Sequence, residues 1–346
     1  MTKKKYTIKD IAQMAGVSKG TVDRVLHKRG KVSEDAHQRV QTILNQIDYH
    51  PNPIARNLKK NKVYRICVLM PDWRIDPYWE PAEQGIQQAI EEFKPFGVTV
   101  DKFFYHPHEK LSFSTKANDI LGSTPDVLVM VPLFQEESIK ILEECKEKNI
   151  RVALFNNHIN TLNNEIFVGQ DLYQSGKVAA GLIDKVTRCN AKIVVAHLDK
   201  EAHMELKEDG FKSYFKEKKH AQVNLISQSF QTDNNDKFNS DVSAFLELHQ
   251  DICAIFVTNS KAHKLINILK CSNSKITVVG YDLLEENIDC LRKGQIEFLI
   301  HQKPKRQAYL GICYFVEYFL FGKEVPTRML LPIDIITSEN VGYYLD

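Results

Sequence analysis

Two sets of residues in this 346-residue chain have side chains and spacings suited to recognition. The first lies in TIKDIAQMAGVSKGTVDRVL, Thr7 to Leu26, where Lys19, Gly20, Asp23 and Arg24 fall on the polar face of a short amphipathic segment. An ammonium and a guanidinium fork on such a face suit phosphate oxygens and guanine edges in a DNA groove. The second set follows runs rich in Val, Ile and Phe: Asp72, Trp73, Asp76, Tyr78 and Trp79, then Asn156 and Asn157, Asn259, and Asp282. Sugars offer apolar C–H faces to aromatic rings and hydroxyls to carboxylates and carboxamides, so this set suits a polyhydroxylated ligand. For Tyr78 and Trp79 the alternative is a place in the core.

The first set needs two helices and a tight turn to carry it. Ile8, Ile11, Ala12 and Ala15 recur at i, i+3, i+4 and i+7, and Thr7 with Asp10 has the spacing of a capping box. Gly16 is free to take the left-handed conformation that ends the first helix. Ser18 is placed to cap a second whose Val22, Val25 and Leu26 turn inward. A third helix follows Ser33, with Ala36, Val40, Ile43, Leu44 and Ile47 along one side. A plain helical hairpin shares this periodicity but leaves the charge distribution unexplained. Residues 1–62 carry 14 Lys and Arg against 5 Asp and Glu, a net of +9, whereas the remainder nets −7. A basic module on an acidic body confines phosphate binding to one end of the chain.

Between the two lies HPNPIARNLKKNK, residues 50–62. Asn52 suits a helix cap, Pro53 a first turn, and Ala55, Arg56, Leu58 and Lys59 about two turns, marginal for an isolated helix. The segment reads either as a basic linker or as a helix ordered against DNA, with Leu58 as a minor-groove wedge and Arg56 and Lys59 near phosphates.

Composition narrows the rest. A chain of this length that is 43% hydrophobic is expected to hold two or three compact units. It has no run of 18 apolar residues, and its start has no apolar signal region, so a soluble, cytoplasmic protein with no membrane partner is expected. The seven cysteines are dispersed without metal-ligand spacing and are read as reduced thiols, with no zinc. GxSxG, Walker A, HExxH and GxGxxG motifs are missing and the aspartates are not paired, so neither catalytic residues nor a cofactor is expected.

From Tyr64 onward, YRICVLM, VTVDKFFY, DVLVMV, VALFN, KIVVAHL, AIFVT and ITVVGYD read as buried strands, with helices such as Glu83 to Phe93 and Ser138 to Lys148 between them. The pattern predicts parallel α/β structure, in one large sheet or two smaller ones. Ligands of such sheets bind beyond the carboxyl ends of strands, where the second residue set falls.

With these residues in view, the first 60 positions resemble the DNA-binding end of the lactose-repressor and galactose-repressor (LacI/GalR) family. The rest looks like the type I periplasmic sugar-binding fold. The resemblance implies a three-helix DNA-binding head at residues 1–50, a hinge helix or linker at 51–62, and a two-lobed α/β effector-binding and dimerisation domain with parallel sheets at 63–346. It also implies a homodimer on double-stranded operator DNA, controlled by a small sugar-like effector. Carried over residue by residue, Lys19, Gly20 and Arg24 stand at base-reading positions, Thr21 at a phosphate contact, and Leu58 at the intercalating leucine. Thr7, Ser18, Asn52, Arg56 and Lys59 complete the implied DNA surface. In the cleft, Tyr78 and Trp79 of DPYW match an aromatic segment. Lys207 stands where the family has an arginine, Asn156 where it has an aspartate, and Asn157 where arginine is frequent. Asn259, Asp282 and Gln302 match directly. Gly20 offers no reading side chain, and Asp23 either accepts from a cytosine amino group or orients Arg24. The function expected is a sugar-responsive repressor. A solute-binding protein with no DNA role and a sequence-indifferent DNA binder are the alternatives.

Overall fold

In the computed structural model, Thr7 Oγ1 accepts from Asp10 N (3.3 Å) and Asp10 Oδ2 accepts from Thr7 N (2.8 Å), a reciprocal pair that starts α1 (Ile8–Ala15). The structure describes residues 6–26, 29–47, 49, 63–159, 165–187, 192–199, 201–218, 223–269 and 276–345. Gly16 ends α1 at φ +63°. Ser18 Oγ then accepts from Thr21 N (3.1 Å) where α2 (Lys19–Leu26) begins, and Ser33 caps α3 (Glu34–Gln46) through Ala36 N (3.4 Å). Ile11, Ala12, Ala15, Val22, Val25 and Val40 close a small core, which leaves the polar face of α2 outside. Residues 50–62, with Asn52, Arg56, Leu58 and Lys59, lie outside the described residues.

The chain divides into two units, Met1–Lys62 and Val63–Asp346. Among the described residues the second holds twelve strands in two six-stranded sheets. They are β1 (Tyr64–Pro71), β2 (Val98–Tyr105), β3 (Val127–Met130), β4 (Arg151–Phe155), β5 (Ile166–Gly169), β6 (Lys192–Leu198), β7 (Asn224–Phe230), β8 (Ile252–Val257), β9 (Thr277–Tyr281), β10 (Phe298–His301), β11 (Arg328–Leu330) and β12 (Asp334–Ile336). The orders are β11-β5-β4-β3-β1-β2 and β12-β10-β9-β8-β6-β7, all parallel except the β10–β12 pair. Two sheets, not one, thus resolve the open alternative. The five strands beyond the seven expected are mostly short. β7 is a half-exposed edge without a continuous apolar run, and β5, β10, β11 and β12 take only three or four residues each.

Apolar helix faces cover both sides of each sheet. On the first are α4 (Glu80–Phe93), α5 (Lys110–Ser123), α6 (Gln135–Glu147) and α12 (Pro304–Phe321). On the second are α7 (Leu172–Val186), α8 (Ala202–Glu217), α9 (Asn235–Leu248), α10 (Ala262–Leu269) and α11 (Glu285–Arg292). Two glycines set how closely α7 and α8 approach. A Cβ on Gly176 would sit 1.9 Å from Lys207 O, and one on Gly210 would sit 1.9 Å from Tyr173 O. The chain passes between the lobes three times, after β5, after β10 and after β11. Gln170, buried on the first passage, donates Nε2 to His301 O and to Pro332 O, both at 2.8 Å, and so touches the other two.

Cys67, Cys145, Cys290 and Cys313 are thiols outside any disulfide. Cys253 is disulfide-bonded, which corrects the reading of all seven as reduced. Among the described residues no helix is long and apolar enough to cross a membrane.

Candidate functional site

On the head, Lys19, Gly20 and Arg24 are exposed while Thr21 and Asp23 are half-buried. Thr21 Oγ1 lies 3.0 Å from Ser18 Oγ, so both hydroxyls sit at the start of α2 beside its unsatisfied N–H groups. Thr7 is committed to its capping box. The outward cations of α2 are therefore Lys19 and Arg24.

In the second unit the carboxyl ends of strands from both sheets face one cleft, lined by Asp76, Tyr78, Trp79, Asn156, Lys207, Asn259, Asp282 and Gln302. Asp76 Oδ1 accepts from Tyr78 N (3.1 Å) and so starts the single 3-10 turn Pro77–Trp79 that aims both rings. Burial pushes the Asp76 carboxyl upward, against the pull of that N–H and of Lys261. Tyr78 and Trp79 are 8% and 3% exposed and belong to the first lobe's core, and both also line the cleft.

Asn156 and Asp282 each follow a strand at left-handed φ, +67° and +62°. Among side-chain-bearing residues Asn and Asp adopt this region most readily, because their short polar groups hydrogen-bond locally. The strained backbone aims both groups inward. Asn156 Nδ2 donates to Tyr78 Oη (2.5 Å), and Gln302 Nε2 approaches the same oxygen at 3.3 Å. Gln302 also donates its backbone N–H (2.8 Å) and Nε2 (2.6 Å) to the two Asp282 oxygens. This chain joins the two lobes across the cleft floor. Beneath it, buried Asn287 donates Nδ2 to Ser260 O (2.7 Å), Tyr281 O (3.0 Å) and Asp282 O (3.2 Å), and accepts His263 N at Oδ1 (2.9 Å). One carboxamide thus fixes the loops after β8 and β9.

Lys207 is fully buried on α8. Its Nζ donates to Thr258 O (2.9 Å) and stands 3.7 Å from the centroid of the Tyr281 ring. Burial pushes its ammonium down to about 8, while the Asp282 and Glu201 carboxylates pull the other way. Asn259 lines the cleft, but its carboxamide donates to Leu198 O (2.6 Å) and accepts Lys261 N (3.2 Å), so it ties the loop after β8 to the end of β6.

Three expected residues lie off the lining. Asp72 is held by Arg74 in a two-pronged pair (2.8 and 2.6 Å), Trp73 packs on the first lobe's core, and buried Asn157 reaches His203 Nδ1 at 3.5 Å. Sequence reasoning missed Pro107, His108, Leu133, Glu201, His203, Met204, Ser260 and Lys261. All follow strand ends within a few residues, so the same strand-end rule, applied to every strand, points to them. Lys261 pairs with Asp199, and His203 Nδ1 lies 3.3 Å from Glu201 Oε2. The free volume of the cleft is about 40 Å³, room for water-sized bodies only. Among the described residues no group of three or more His, Cys, Asp or Glu is arranged to hold a metal ion.

Residues 66–324 match the periplasmic binding protein domain family, and residues 7–52 match the bacterial regulatory proteins of the lacI family. The HTH-type transcriptional regulator DegA of Bacillus subtilis is 26% identical over 178 residues, which are 50% of this chain and 51% of that protein. The ribose operon repressor of Lactococcus lactis is 33% identical over 86 residues, 25% of this chain and 26% of the repressor. The chain thus spans about half the length of DegA, and less of the ribose repressor. Among solved structures, that of a protein described as a "putative LacI transcriptional regulator from Bacteroides fragilis" superposes with a TM-score of 0.77 at 27% identity, covering 82% of this chain and all of that one.

Proposed function

Because this chain belongs to the periplasmic binding protein domain family and, through its head, to the lacI family of bacterial regulatory proteins, we propose that it is a sequence-specific DNA-binding repressor switched by a small sugar or sugar derivative. The observation that carries this reading is the pairing of two surfaces in one chain. A capped helix presents Lys19 and Arg24, and a cleft of carboxylates, carboxamides and aromatic edges draws on both lobes.

In this reading Arg24 forks onto a guanine, Lys19 and the first turn of α2 meet base edges and phosphates, and Gly20 lets the backbone approach closely. Asn52, Arg56, Leu58 and Lys59 form a hinge that orders in the minor groove. The protein works as a homodimer in the cytoplasm, with residues 63–346 supplying effector binding and dimerisation. An effector takes Asp282, Asn156 and Lys207 as its polar partners, breaks the Gln302–Tyr78–Asn156 chain and resets the angle between lobes. The two hinges of the dimer then shift, with coupling of ~1–3 kcal/mol felt equally by DNA and effector. The cleft binds without turnover: its carboxylates are tied to Gln302, to the Tyr78 amide and to His203, not set as an acid and base about a bond.

The test is selection of genomic fragments by the purified full chain at low salt, repeated with monosaccharides, disaccharides and their phosphates. A preferred, roughly palindromic site whose occupancy one sugar changes in either direction supports the reading. Failure to retain any fragment would make the chain a solute-binding protein, and a flat profile across random duplexes an architectural binder.

A further inference from the structure

Beyond the head and the cleft, the second unit has a cavity of about 300 Å³ where β10 meets α12. Its wall carries His301, Lys303, Lys305, Arg306, Tyr309 and Tyr344, and among the described residues no carboxylate lines it. Lys303 is neutralised by Asp334 at 2.6 Å, and the Tyr309 hydroxyl donates to Glu92 (2.9 Å). Lys305 and Arg306 are exposed, and among the described residues neither has an ion pair; the Arg306 guanidinium stands 5.5 Å from the centroid of the Tyr309 ring. Helix α12, 18 residues long, starts here without a side-chain cap, so its first-turn N–H groups add to the positive field.

We propose that this cavity is a second ligand site, distinct from the cleft, which takes a small phosphate-bearing molecule. The guanidinium fork of Arg306 matches phosphate oxygens in pairs, Lys305 adds a point charge, and the tyrosine rings wall the space beyond the phosphate. A volume near 300 Å³ falls at the lower end of small-molecule sites and exceeds what inorganic phosphate fills, so the ligand is a phosphorylated compound of roughly sugar size. The two sites stand back to back. His301 lines the cavity while its neighbour Gln302 lines the cleft, and His301 Nδ1 is 3.5 Å from Asp282 Oδ1.

The experiment is calorimetric titration of the full chain with pyrophosphate at fixed ionic strength. The expected result is one saturable site per chain. The Lys305→Ala, Arg306→Ala double variant weakens it by about tenfold or more, and Lys207→Ala in the cleft and Arg24→Ala on the head leave it within about twofold. Both substituted cavity residues are exposed, and an unchanged melting temperature checks the fold. If the double variant does not fold, Arg306→Gln alone decides, with a loss of about threefold or more expected. The proposal is overturned by absence of saturation up to about 10 mM. Undiminished affinity in the cavity variants overturns it too, as does loss in Lys207→Ala or Arg24→Ala, which would move the anion to the cleft or the head.

Discussion

Replacing Gly176 with alanine tests whether the α7–α8 contact sets the depth of Lys207. The added methyl would stand 1.9 Å from Lys207 O, 2.8 Å from Lys207 C and 3.0 Å from Phe211 N. To reach ordinary contact the carbonyl must retreat by roughly 1.5 Å, and a backbone carbonyl inside a helix has no rotamer to escape into. Overpacking of this kind costs about 1–3 kcal/mol, and the helix preference of alanine returns up to about 1 kcal/mol, so a net loss of about 1–2 kcal/mol is expected. Gly122 is the control: it also lies in a helix, α5, and its added Cβ would meet nothing within 4 Å. There the helix term acts alone and Gly122→Ala gains up to about 1 kcal/mol. Thermal unfolding followed by tryptophan fluorescence reports on the second unit, since both tryptophans, Trp73 and Trp79, lie in it. The expected shifts are a fall of roughly 2–6 °C for Gly176→Ala and a rise of roughly 1–3 °C for Gly122→Ala. A Gly176 variant as stable as the parent would mean that the helices slide apart freely, and the account of Lys207 would fail.

Arg24→Ala is expected to relax base preference at one operator position by ~1–3 kcal/mol, whereas Lys59→Ala weakens all sequences alike and lowers the salt slope by about 1; equal losses on specific and random DNA for Arg24→Ala would refute its base-reading role. Lys207 titrates near 8 when folded and near its ordinary 10.5 when unfolded, so between these values the unfolded chain binds more protons and stability rises with pH. Compared with Lys207→Met, the parent protein therefore gains stability from pH 8 to pH 10, and a pH-independent difference in their melting temperatures would contradict the burial of that ammonium. Asn287→Asp turns a donor facing three carbonyl oxygens into an acceptor and is expected to cost about 3 kcal/mol or more. Chemical denaturation measures this, and a loss below about 1 kcal/mol would show that the three carbonyls find other donors.

The head was legible because its signals are local. The Thr7–Asp10 box, Gly16 and Ser18 act within four residues of themselves, and each is realised in the structure as expected. Six of the seven expected strands were legible because burial on both faces makes their apolar runs continuous, and β2, a half-buried edge strand, by its Val and Phe residues. β10, β11 and β12 take three or four residues each and rely on partners far along the chain, so no local pattern marks them. In the cleft, Asp282 and Asn156 stood out as polar residues at strand ends. What those ends do not disclose is where each side chain is spent: the Asn259 carboxamide goes to Leu198 O at the end of β6 and to Lys261 N, and the Asp72 carboxylate to Arg74, two residues away. Lys207 has no marker in the pattern of α8, because a buried lysine in a helix reads as an exposed one until the tertiary contacts are known. Family resemblance alone singled it out.

Gln170 bears on how motion can be transmitted. Three separate tethers between two bodies would let them twist, tilt and slide, and a ligand's effect would disperse over many small displacements. A single carboxamide bonded to the other two strands of the joint welds these tethers into one axle. In the proposed switch this tie favours rotation about the joint over sliding, so that the angle between lobes is what the cleft sets. Gln170→Ala would leave both lobes and every ligand contact in place and still blur the message, as a worn bearing spoils a dial without touching its numbers.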